Sequence, residues 1–341
     1  MSTKKLSPTR RTLLKGTAAT AAIAPFFIGK SAKAADSIIT ITGSTAAPKD
    51  TPWGVLANGL KKHISEKTGG QVKLKMFFGG TRGSEGTVAE LTKGGTNGIY
   101  AGSGAGLAKI VPELSVLELP FLIRDERQGR KVLGANKTLI HDILWEKGFK
   151  LLLFSENGMQ DIGSTRPIEK PSDMKGLKIR TLESQVHIDF VEQTGASALP
   201  MGVTEVLPSL QTGVIDGFTN TAIFATAAAW TTGIMHWTVS AHCYQPAVVA
   251  VSRVVWEGLP AEIQEAMSAD SEELDKLVSR TNRRLDAMKP QLLQNLTDLG
   301  ITVHKPDLEP WRKLARPVHE AFSKRTTKQG RALLKGIEKA L

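Results

Sequence analysis

Arg180 is the residue in this chain whose type and position best suit it to bind an anion. It ends a predicted strand, Gly176–Arg180. A planar guanidinium at a strand end can hold a carboxylate through two parallel hydrogen bonds. The alternation of Leu177, Lys178 and Ile179 would place Arg180 on the same side as Lys178, although strand ends are where this phase is lost. Taken alone, a structural or surface arginine is the more common interpretation.

Two other polar positions also follow predicted strands. Asn220 comes just after the predicted strand Val214–Phe218, where its amide could donate to the same carboxylate, or serve only as a turn residue. Residues 102–106 read GSGAG after a third predicted strand. Glycine loops at strand ends are frequent ligand sites in open α/β sheets, with a plain tight turn as the alternative. In this loop Ser103 offers a hydroxyl or a backbone N–H.

Two aromatic residues lie near the ends of early strands. Trp53 and Phe78 would form apolar walls of a ligand cleft, or simply pack in the core. The two interpretations are equally consistent with the sequence.

The chain lacks the motifs of most enzymatic chemistries. It contains no G-x-S-x-G, no P-loop, and Leu107 replaces the third glycine of a dinucleotide fingerprint. The seven histidines show neither H-x-x-x-H nor H-E-x-x-H spacing, and the single cysteine, Cys243, excludes an internal disulfide. We therefore expect no catalytic set, no metal site and no cofactor.

The elements that would position these residues alternate between strand and helix. The expected strands cover residues 37–42, 72–78, 98–101, 150–154, 176–180, 214–218 and 300–304, and the expected helices cover 53–67, 85–93, 127–147, 184–194 and 204–212. From Leu259 the chain becomes charged and mostly helical. Such alternation predicts an α/β fold built on a parallel, doubly wound sheet.

The basic charge of the chain is concentrated at its N-terminus. The formal net charge is +11 over 341 residues, with 44 basic and 33 acidic residues. Residues 1–34 hold seven of the basic residues and no acidic ones, so the remainder carries only about +4. This balance gives no electrostatic case for a nucleic-acid partner.

Residues 1–34 have the order of parts typical of a bacterial export signal. The pair Arg10-Arg11 precedes an apolar run, Thr17–Gly29, and Ala32-Lys33-Ala34 follows as a cleavage site. This order resembles the twin-arginine type and predicts a mature chain that starts near Ala35 in the cell envelope. An amphipathic N-terminal helix and an uncleaved anchor are the alternatives, but the apolar run is shorter than the roughly 20 residues needed to span a bilayer.

Residues 217–252 contain no Lys, Arg, Asp or Glu. A membrane span is one interpretation of such a stretch. The polar residues inside it, including Asn220 and Gln245, interrupt every apolar run of 18 residues. A buried helix and strands within a globular lobe are therefore expected.

Three segments resemble those of one known family. Residues 171–180 read PSDMKGLKIR, residues 119–122 read LPFL, and residues 204–217 read TEVLPSLQTGVIDG. Together and in this order they resemble the substrate-binding proteins of tripartite ATP-independent periplasmic (TRAP) transporters, the DctP-like family. The resemblance covers nearly all of the predicted mature chain.

The resemblance implies a two-lobed periplasmic binding protein fold, similar to type II, with crossing strands and a long helix that spans both lobes. One lobe would contain residues 35–157 with about 246–285. The other would contain residues 158–245 with about 286–341, which include the C-terminal helices. Ligand binding in the cleft would close the two lobes.

The resemblance also assigns roles to individual residues. Arg180 takes the place of the arginine that pairs with the ligand carboxylate, and Asn220 that of an asparagine beside it. A second ligand arginine of many members is replaced by Gln160, and a glutamate of the sialic-acid-binding members is replaced at Gly102-Ser103. Both changes remove charge, so a monocarboxylate is favoured over a dicarboxylate or a sialic acid, unless Arg166 reaches the site.

The resulting hypothesis is a periplasmic receptor that is not an enzyme. It would bind a small organic acid through Arg180, Asn220, Gln160 and Ser103 and deliver it to the integral membrane subunits of a TRAP transporter. Two alternatives use the same scaffold: an exported enzyme that acts on an acid, and a receptor that presents its ligand to a sensor protein.

Overall fold

A single mixed β-sheet forms the centre of the molecule. The computed structural model describes residues 38–268 and 272–341, and within them the sheet has nine strands. The strands are β1 (Ile39–Thr45), β2 (Val72–Phe77), β3 (Ile99–Ser103), β4 (Phe149–Ser164), β5 (Lys178–Thr181), β6 (Ser197–Pro200), β7 (Gly217–Asn220), β8 (His236–Ser252) and β9 (Thr302–His304).

Helices cover the sheet and connect its strands. In the described part of the chain they are α1 (Pro52–Lys67), α2 (Glu85–Lys93), α3 (Gly104–Leu107), α4 (Glu126–Ala135), α5 (Lys137–Glu146), α6 (Gln185–Gln193), α7 (Val203–Gln211), α8 (Ala222–Ala227), α9 (Arg253–Glu257), α10 (Ala261–Ala266), α11 (Glu272–Asp298), α12 (Glu309–Arg325) and α13 (Lys328–Ala340). Short 3₁₀ helices occupy Pro112–Glu118, Pro171–Met174 and Trp230–Gly233.

Local signals explain the bounds of α1. The Thr51 side chain accepts a hydrogen bond from the Gly54 N–H at 3.3 Å, and Pro52 fits the first turn because its missing N–H is not needed there. The helix ends before Gly69 and Gly70, which have φ angles of 57° and 84°. This left-handed conformation favours glycine, so the glycine pair stops the helix, and its end at Lys67 agrees with the expected range 53–67.

The sheet is parallel at its two ends and antiparallel at its centre. Its strand order is β2-β1-β3-β8-β4-β7-β5-β6, with β9 paired to β8. The pairs β1–β2, β1–β3, β5–β6 and β5–β7 are parallel, whereas β8 and β4 run antiparallel to each other and to their other main-sheet neighbours. The expectation of a parallel doubly wound sheet is therefore right for each end and wrong for the centre.

The two central strands are long and cross from one half of the molecule to the other. β8 pairs with β3 through residues 247–251 and with β9 through residues 236–238. The ladder between β4 and β8 has register shifts, one of them between Glu156 and Gly158, and Gly158 has a φ angle of 106°. Polar residues and a bulge follow the apolar run 150–154, which is why the sequence predicts only that short strand.

An ion-pair network holds the bulge of β4 against two helices. Arg130 of α4 donates from Nη2 to Glu156 at 2.6 Å and to Asp286 of α11 at 2.7 Å. Lys289 of α11 in turn lies 2.8 Å from Asp286 and 2.7 Å from Glu126 of α4. The network ties α4, β4 and α11 together where the central strands cross.

Helix α11 spans both halves of the molecule, as the sequence analysis expects. Near its start, Leu274 packs in a cluster with Leu56 of α1 and Leu74 of β2. Further along, Leu285, Leu292 and Leu296 pack in a second cluster, together with Trp230. The apolar side chains therefore bury one face of a single helix against two separate cores.

The last two helices cover a third and largest cluster. Trp311 and Phe322 of α12 and Leu333 of α13 lie in one core with Val132 of α4 and Phe190 of α6. The C-terminal segment thus packs on elements that precede and follow β4. The predicted lobe boundaries stay a prediction.

Two expected elements differ from the structure. Asn220 is the last residue of β7, which covers Gly217–Asn220 rather than 214–218, because Val214 is half exposed and belongs to the turn after α7. The helix expected over 127–147 is divided at Asn136 into α4 and α5.

The charge-free segment 217–252 folds into β7, α8, a 3₁₀ turn and β8. Within residues 38–268 and 272–341, no helix combines the length and the apolar composition that a membrane span requires. The predicted export signal, residues 1–34, lies outside the described residues.

Candidate functional site

Two adjoining cavities open where several strands of the sheet end. The larger one has about 600 Å³ of open space and is lined by residues of β1, β3, the crossing strands and helices α1, α2 and α8: Thr45, Ala47, Trp53, Glu85, Gly102, Ser155, Asn157, Phe224 and Val248 among them. The smaller one has about 250 Å³ and is lined by Ser84, Glu85, Gly106, Arg180, Leu182, Glu183, Met201, Gly202 and Val203.

Arg180 lies at the wall of the smaller cavity and is 2% exposed. Met201 and the ring of Trp230 cover it, whereas Lys178, two residues earlier on the same strand, is exposed. Nε and Nη2 donate to the carbonyl oxygen of Met201 at 3.1 and 2.9 Å, and the guanidinium carbon lies 5.1 Å from the ring centre of Trp230. One edge of the guanidinium is thus fixed by the protein.

The opposite edge of the same guanidinium has no protein partner among the described residues. Nη1 is buried and makes no hydrogen bond. The group has five N–H donors, and Met201 accepts from only two of them. The remaining edge, Nη1 with the second hydrogen of Nη2, can therefore donate two parallel hydrogen bonds to a carboxylate.

The electrostatic environment of Arg180 combines burial with nearby carboxylates. Burial lowers the pKa of the Arg180 guanidinium to about 10, and the charges of Glu85, Glu183 and Glu205 act in the opposite direction. A pKa of about 10 leaves Arg180 cationic at neutral pH, so it presents a positive charge at the cavity wall.

Glu85 is a residue of this site that the sequence analysis missed. It is the first residue of α2, and its carboxylate accepts hydrogen bonds from the Ser103 backbone N–H at 2.8 Å and from the Ser103 hydroxyl. Burial raises the pKa of the Glu85 carboxyl. Glu85 could have been identified from the sequence as an acidic residue at a helix start, just after the glycine loop that follows β2.

Ser103 lies at the expected place, but its donors are engaged. It is the last residue of β3 and caps α3 by accepting the Gly106 N–H at 3.0 Å. Its hydroxyl and backbone N–H both point to Glu85. Direct contact of Ser103 with a ligand stays a prediction, and its observed contacts hold Glu85 in position.

Gln160 and Asn220 lie on neighbouring central strands. Both polar side-chain atoms of Gln160, on β4, are buried without a hydrogen-bond partner in the part of the chain that the structure describes, which is costly for an amide unless another group satisfies it. Asn220 pairs in register with Asp161 of β4, and its side-chain oxygen accepts the Thr221 N–H at 2.7 Å. Arg166 is exposed to solvent.

Asp161 is a buried carboxyl without a cationic partner in the described hydrogen bonds. It accepts hydrogen bonds from Trp237 Nε1 at 3.1 Å and from the Ala241 N–H at 2.9 Å. Burial raises the pKa of the Asp161 carboxyl to about 7, in spite of these donors.

The two predicted wall residues occupy different positions. Trp53, in the first turn of α1, lines the larger cavity, donates from Nε1 to the Glu156 carbonyl oxygen at 2.9 Å, and lies beside Phe224. Phe78 follows β2, is half-buried, and does not line either of the two cavities. The structure therefore brings Trp53, but not Phe78, to the cavity walls.

Few groups in the described residues suit redox or metal chemistry. No set of three His, Cys, Asp or Glu side chains in residues 38–268 and 272–341 is arranged to hold a metal ion. Cys243 is fully buried, and burial raises the pKa of its thiol. The thiol is therefore protonated at neutral pH.

Comparison with known proteins identifies the family. The bacterial extracellular solute-binding proteins, family 7 (DctP), match residues 43–325. The chain belongs to this family, and the resemblance carried by residues 171–180 and 204–217 is confirmed. The family serves in transport as substrate-binding proteins of TRAP systems.

Individual relatives agree with this assignment. The chain is 31% identical over 312 residues to a solute-binding protein of Verminephrobacter eiseniae, with 90% of each chain covered. It is 30% identical over 291 residues to the 2,3-diketo-L-gulonate-binding periplasmic protein of Escherichia coli, covering 83% of this chain and 87% of the relative.

A solved structure establishes the fold class. The TRAP periplasmic solute-binding protein of Polaromonas sp. JS666, bound to D-erythronate, is 28% identical and superposes with a TM-score of 0.82 over 88% of this chain and 98% of the other. The expected α/β, two-lobed binding-protein fold is confirmed.

Proposed function

We propose that this protein is the periplasmic receptor of a TRAP transporter and that it binds the carboxylate of a small organic acid through Arg180. The free edge of the Arg180 guanidinium is the observation that carries the proposal. A buried cation without a carboxylate partner is costly in the free protein, and an anionic ligand removes that cost. The Met201 carbonyl holds the guanidinium in place before the ligand arrives.

The remaining side chains of the proposed site suit a ligand with polar groups beside its carboxylate. Gln160 and Asn220 would add amide hydrogen bonds, Trp53 would form an apolar wall, and Ser103 would act by holding Glu85. We infer a monocarboxylate, because Gln160 brings no second positive charge and Glu85 and Glu183 bring negative charge to the cavity that contains Arg180. The 2,3-diketo-L-gulonate of one relative and the D-erythronate of another are both monocarboxylates.

Lobe closure would trap the ligand. We propose that residues 35–157 with about 246–285 move against residues 158–245 with about 286–341. The bulge of β4 near Gly158 lies at the boundary of these segments and is a suitable place for the crossing strands to bend. The membrane subunits of the transporter would then receive the ligand from the closed receptor.

The protein is inferred to reach the periplasm through an export signal in residues 1–34, of twin-arginine type, cleaved near Ala34. We infer binding rather than catalysis, since the proposed ligand contacts are hydrogen-bond donors that stabilise an anion in its ground state. An exported enzyme on the same scaffold would consume its ligand, whereas a receptor releases it unchanged after saturable binding.

A thermal-shift screen of the purified protein against organic acids tests the proposal. A ligand at about 1,000 times its dissociation constant adds about 4 kcal/mol to the free energy of unfolding, which raises the midpoint by several degrees. Arg180→Met should abolish the shift, while Arg316→Met, at an exposed arginine of α12, should retain it. An unchanged shift in Arg180→Met would refute the assignment of Arg180.

A further inference from the structure

We propose that Glu85 determines specificity at the Arg180 site: it accepts a hydrogen bond from a hydroxyl of the ligand and excludes a second carboxylate. The proposal rests on the proposed function, in which Arg180 binds the first carboxylate. Its consequence is a receptor for hydroxylated monocarboxylates that rejects the corresponding diacids.

The position of Glu85 supports this role. Among the described residues that line the two cavities, Glu85 is the one shared by both. It lines the smaller cavity together with Arg180, and it lines the larger cavity together with Trp53 and Gly102. A ligand whose carboxylate reaches Arg180 and whose body extends into the larger cavity must pass the Glu85 carboxylate.

Two glycines leave space for the Glu85 side chain, and hydrogen bonds from Ser103 fix its carboxylate. A Cβ atom on Gly102 would overlap the Glu85 carboxylate, and a Cβ atom on Gly106 would overlap its side chain, so both glycines are needed to make room for it. Ser103 donates two hydrogen bonds, one to each carboxylate oxygen. Since a carboxylate has about four acceptor positions, about two remain for donors on a ligand.

The charges around Arg180 disfavour a second anionic group. Glu85, Glu183 and Glu205 all lie close enough to raise the pKa of Arg180. Glu183 lines only the smaller of the two cavities and Glu205 lines neither, so Glu85 is the carboxylate at the passage between them. A hydroxyl can donate to Glu85, whereas a second ligand carboxylate meets like charge, and Arg180 is the one cation among the described residues that line the two cavities.

Pairs of acids that differ only at one end provide the test. D-Erythronate and meso-tartrate form one pair, and D-gluconate and D-glucarate form another; in each pair a terminal hydroxymethyl group is replaced by a carboxylate. Titration calorimetry on the full chain at pH 7.5 would measure the dissociation constants of all four acids. We expect at least one hydroxy monoacid to bind about 100-fold more tightly than its diacid.

Variants locate the selectivity. Glu85→Gln should lower this ratio about 10-fold or more, by weakening the monoacid and strengthening the diacid. Glu85→Asp, which keeps the charge, should retain most of the ratio. Glu90→Gln makes the same change at an exposed position of the same helix and should leave the ratio unaltered. Thermal unfolding of each variant establishes that it is folded.

The outcomes separate this proposal from the proposed function. Equal affinity for monoacid and diacid, or an unchanged ratio in Glu85→Gln, would overturn the role of Glu85 while leaving Arg180 as the carboxylate site. Binding of either acid class that survives Arg180→Met would overturn the proposed function itself. The absence of binding by every acid, also after unfolding and refolding to remove a retained ligand, would count against both.

Discussion

Two arginines of this protein, Arg180 and Arg130, have opposite electrostatic environments. Arg130 is 37% exposed and donates to two carboxylates, Glu156 and Asp286, and its hydrogen bond to Glu156 is the main cause of its raised pKa. Arg180 is buried, donates only to a backbone carbonyl, and has a lowered pKa. Arg130 has its counter-charges within the protein, whereas Arg180 has no directly bonded carboxylate among the described residues.

This contrast distinguishes a structural cation from one that is proposed to bind a ligand. A protein that only needed to stabilise its fold would gain by pairing or removing a buried charge. Under the proposed function the cost of burying Arg180 is sustained for ligand binding, whereas that of Arg130 is balanced within the protein. If exposure were the criterion, Arg130 would be selected as the ligand-binding arginine, because it is the more accessible of the two.

Arg180→Met should have the largest effect and should separate binding from stability. Loss of the cation would leave a bound carboxylate unpaired and weaken binding by about 2–5 kcal/mol. In the absence of ligand the free energy of unfolding should stay the same or rise, because an unpaired buried charge has been removed. Calorimetric titration and urea unfolding measure the two quantities. A variant that lost both binding and stability would contradict the comparison.

Asp161→Asn should flatten the dependence of stability on pH. The folded carboxyl has a pKa of about 7 against the ordinary 3.8, so the folded protein keeps a proton that the unfolded chain releases. Stability from this group is fully present below about pH 4 and is lost as the pH rises through about 7. The loss amounts to at most about 4 kcal/mol.

Urea unfolding of the wild type and of Asp161→Asn between about pH 4 and pH 8 measures this difference. The wild type should lose stability with rising pH relative to the variant. Parallel curves would show that the carboxyl is ionised throughout the range.

Arg130→Met should destabilise the protein without abolishing ligand binding. It leaves Glu156, which is nearly fully buried, without its main partner. Removing one partner of a buried pair costs about 3–5 kcal/mol, and partial exposure of Arg130 reduces this to about 2–3 kcal/mol.

The matched control for Arg130→Met is Arg316→Met. Arg316 pairs with Glu320 at 2.9 Å on the surface of α12, and such pairs contribute about 0.5 kcal/mol or less. Equal unfolding midpoints for the two variants would mean that the network around Glu156 does not stabilise the fold.

Gly106→Ala should have a smaller effect on stability and act through Glu85. The added methyl group would overlap Glu85 and Tyr100, and overpacking of this kind costs about 1–3 kcal/mol. Gly134→Ala, in α4, meets no atom within 4 Å and should instead stabilise by up to about 1 kcal/mol. Thermal midpoints test both signs. A stabilised Gly106→Ala would mean that the space around the Glu85 side chain can accommodate the added methyl group.

The sequence predicted most elements because their signals are local. Local patterns of apolar residues indicated α1, α2, β2 and most strands of the two parallel ends of the sheet, although not β6. The antiparallel centre was not predictable, because β4 and β8 pair residues as far apart as Phe149 and Ser252, and no local pattern encodes such a partner.

The candidate site was likewise predictable where its signals are local and not where they depend on distant residues. Arg180 was correctly expected near a strand end, but its burial depends on Met201 and Trp230, which lie 21 and 50 residues further along the chain. Glu85 was missed because its importance arises from Ser103 and from the glycines beside it, 17–21 residues further along the chain. The roles of Gln160 and Asn220 toward a ligand stay predictions.

The pairing of β4 with β8 has a consequence for how the protein unfolds. Each of these strands contributes hydrogen bonds to both halves of the sheet, and residues 38–341 form one unit by their contacts. Neither lobe can unfold while the hydrogen-bonded ladder between β4 and β8 stays intact in the other. A calorimetric scan should therefore give one transition, with equal calorimetric and van't Hoff enthalpies, instead of the two peaks of separately folding domains.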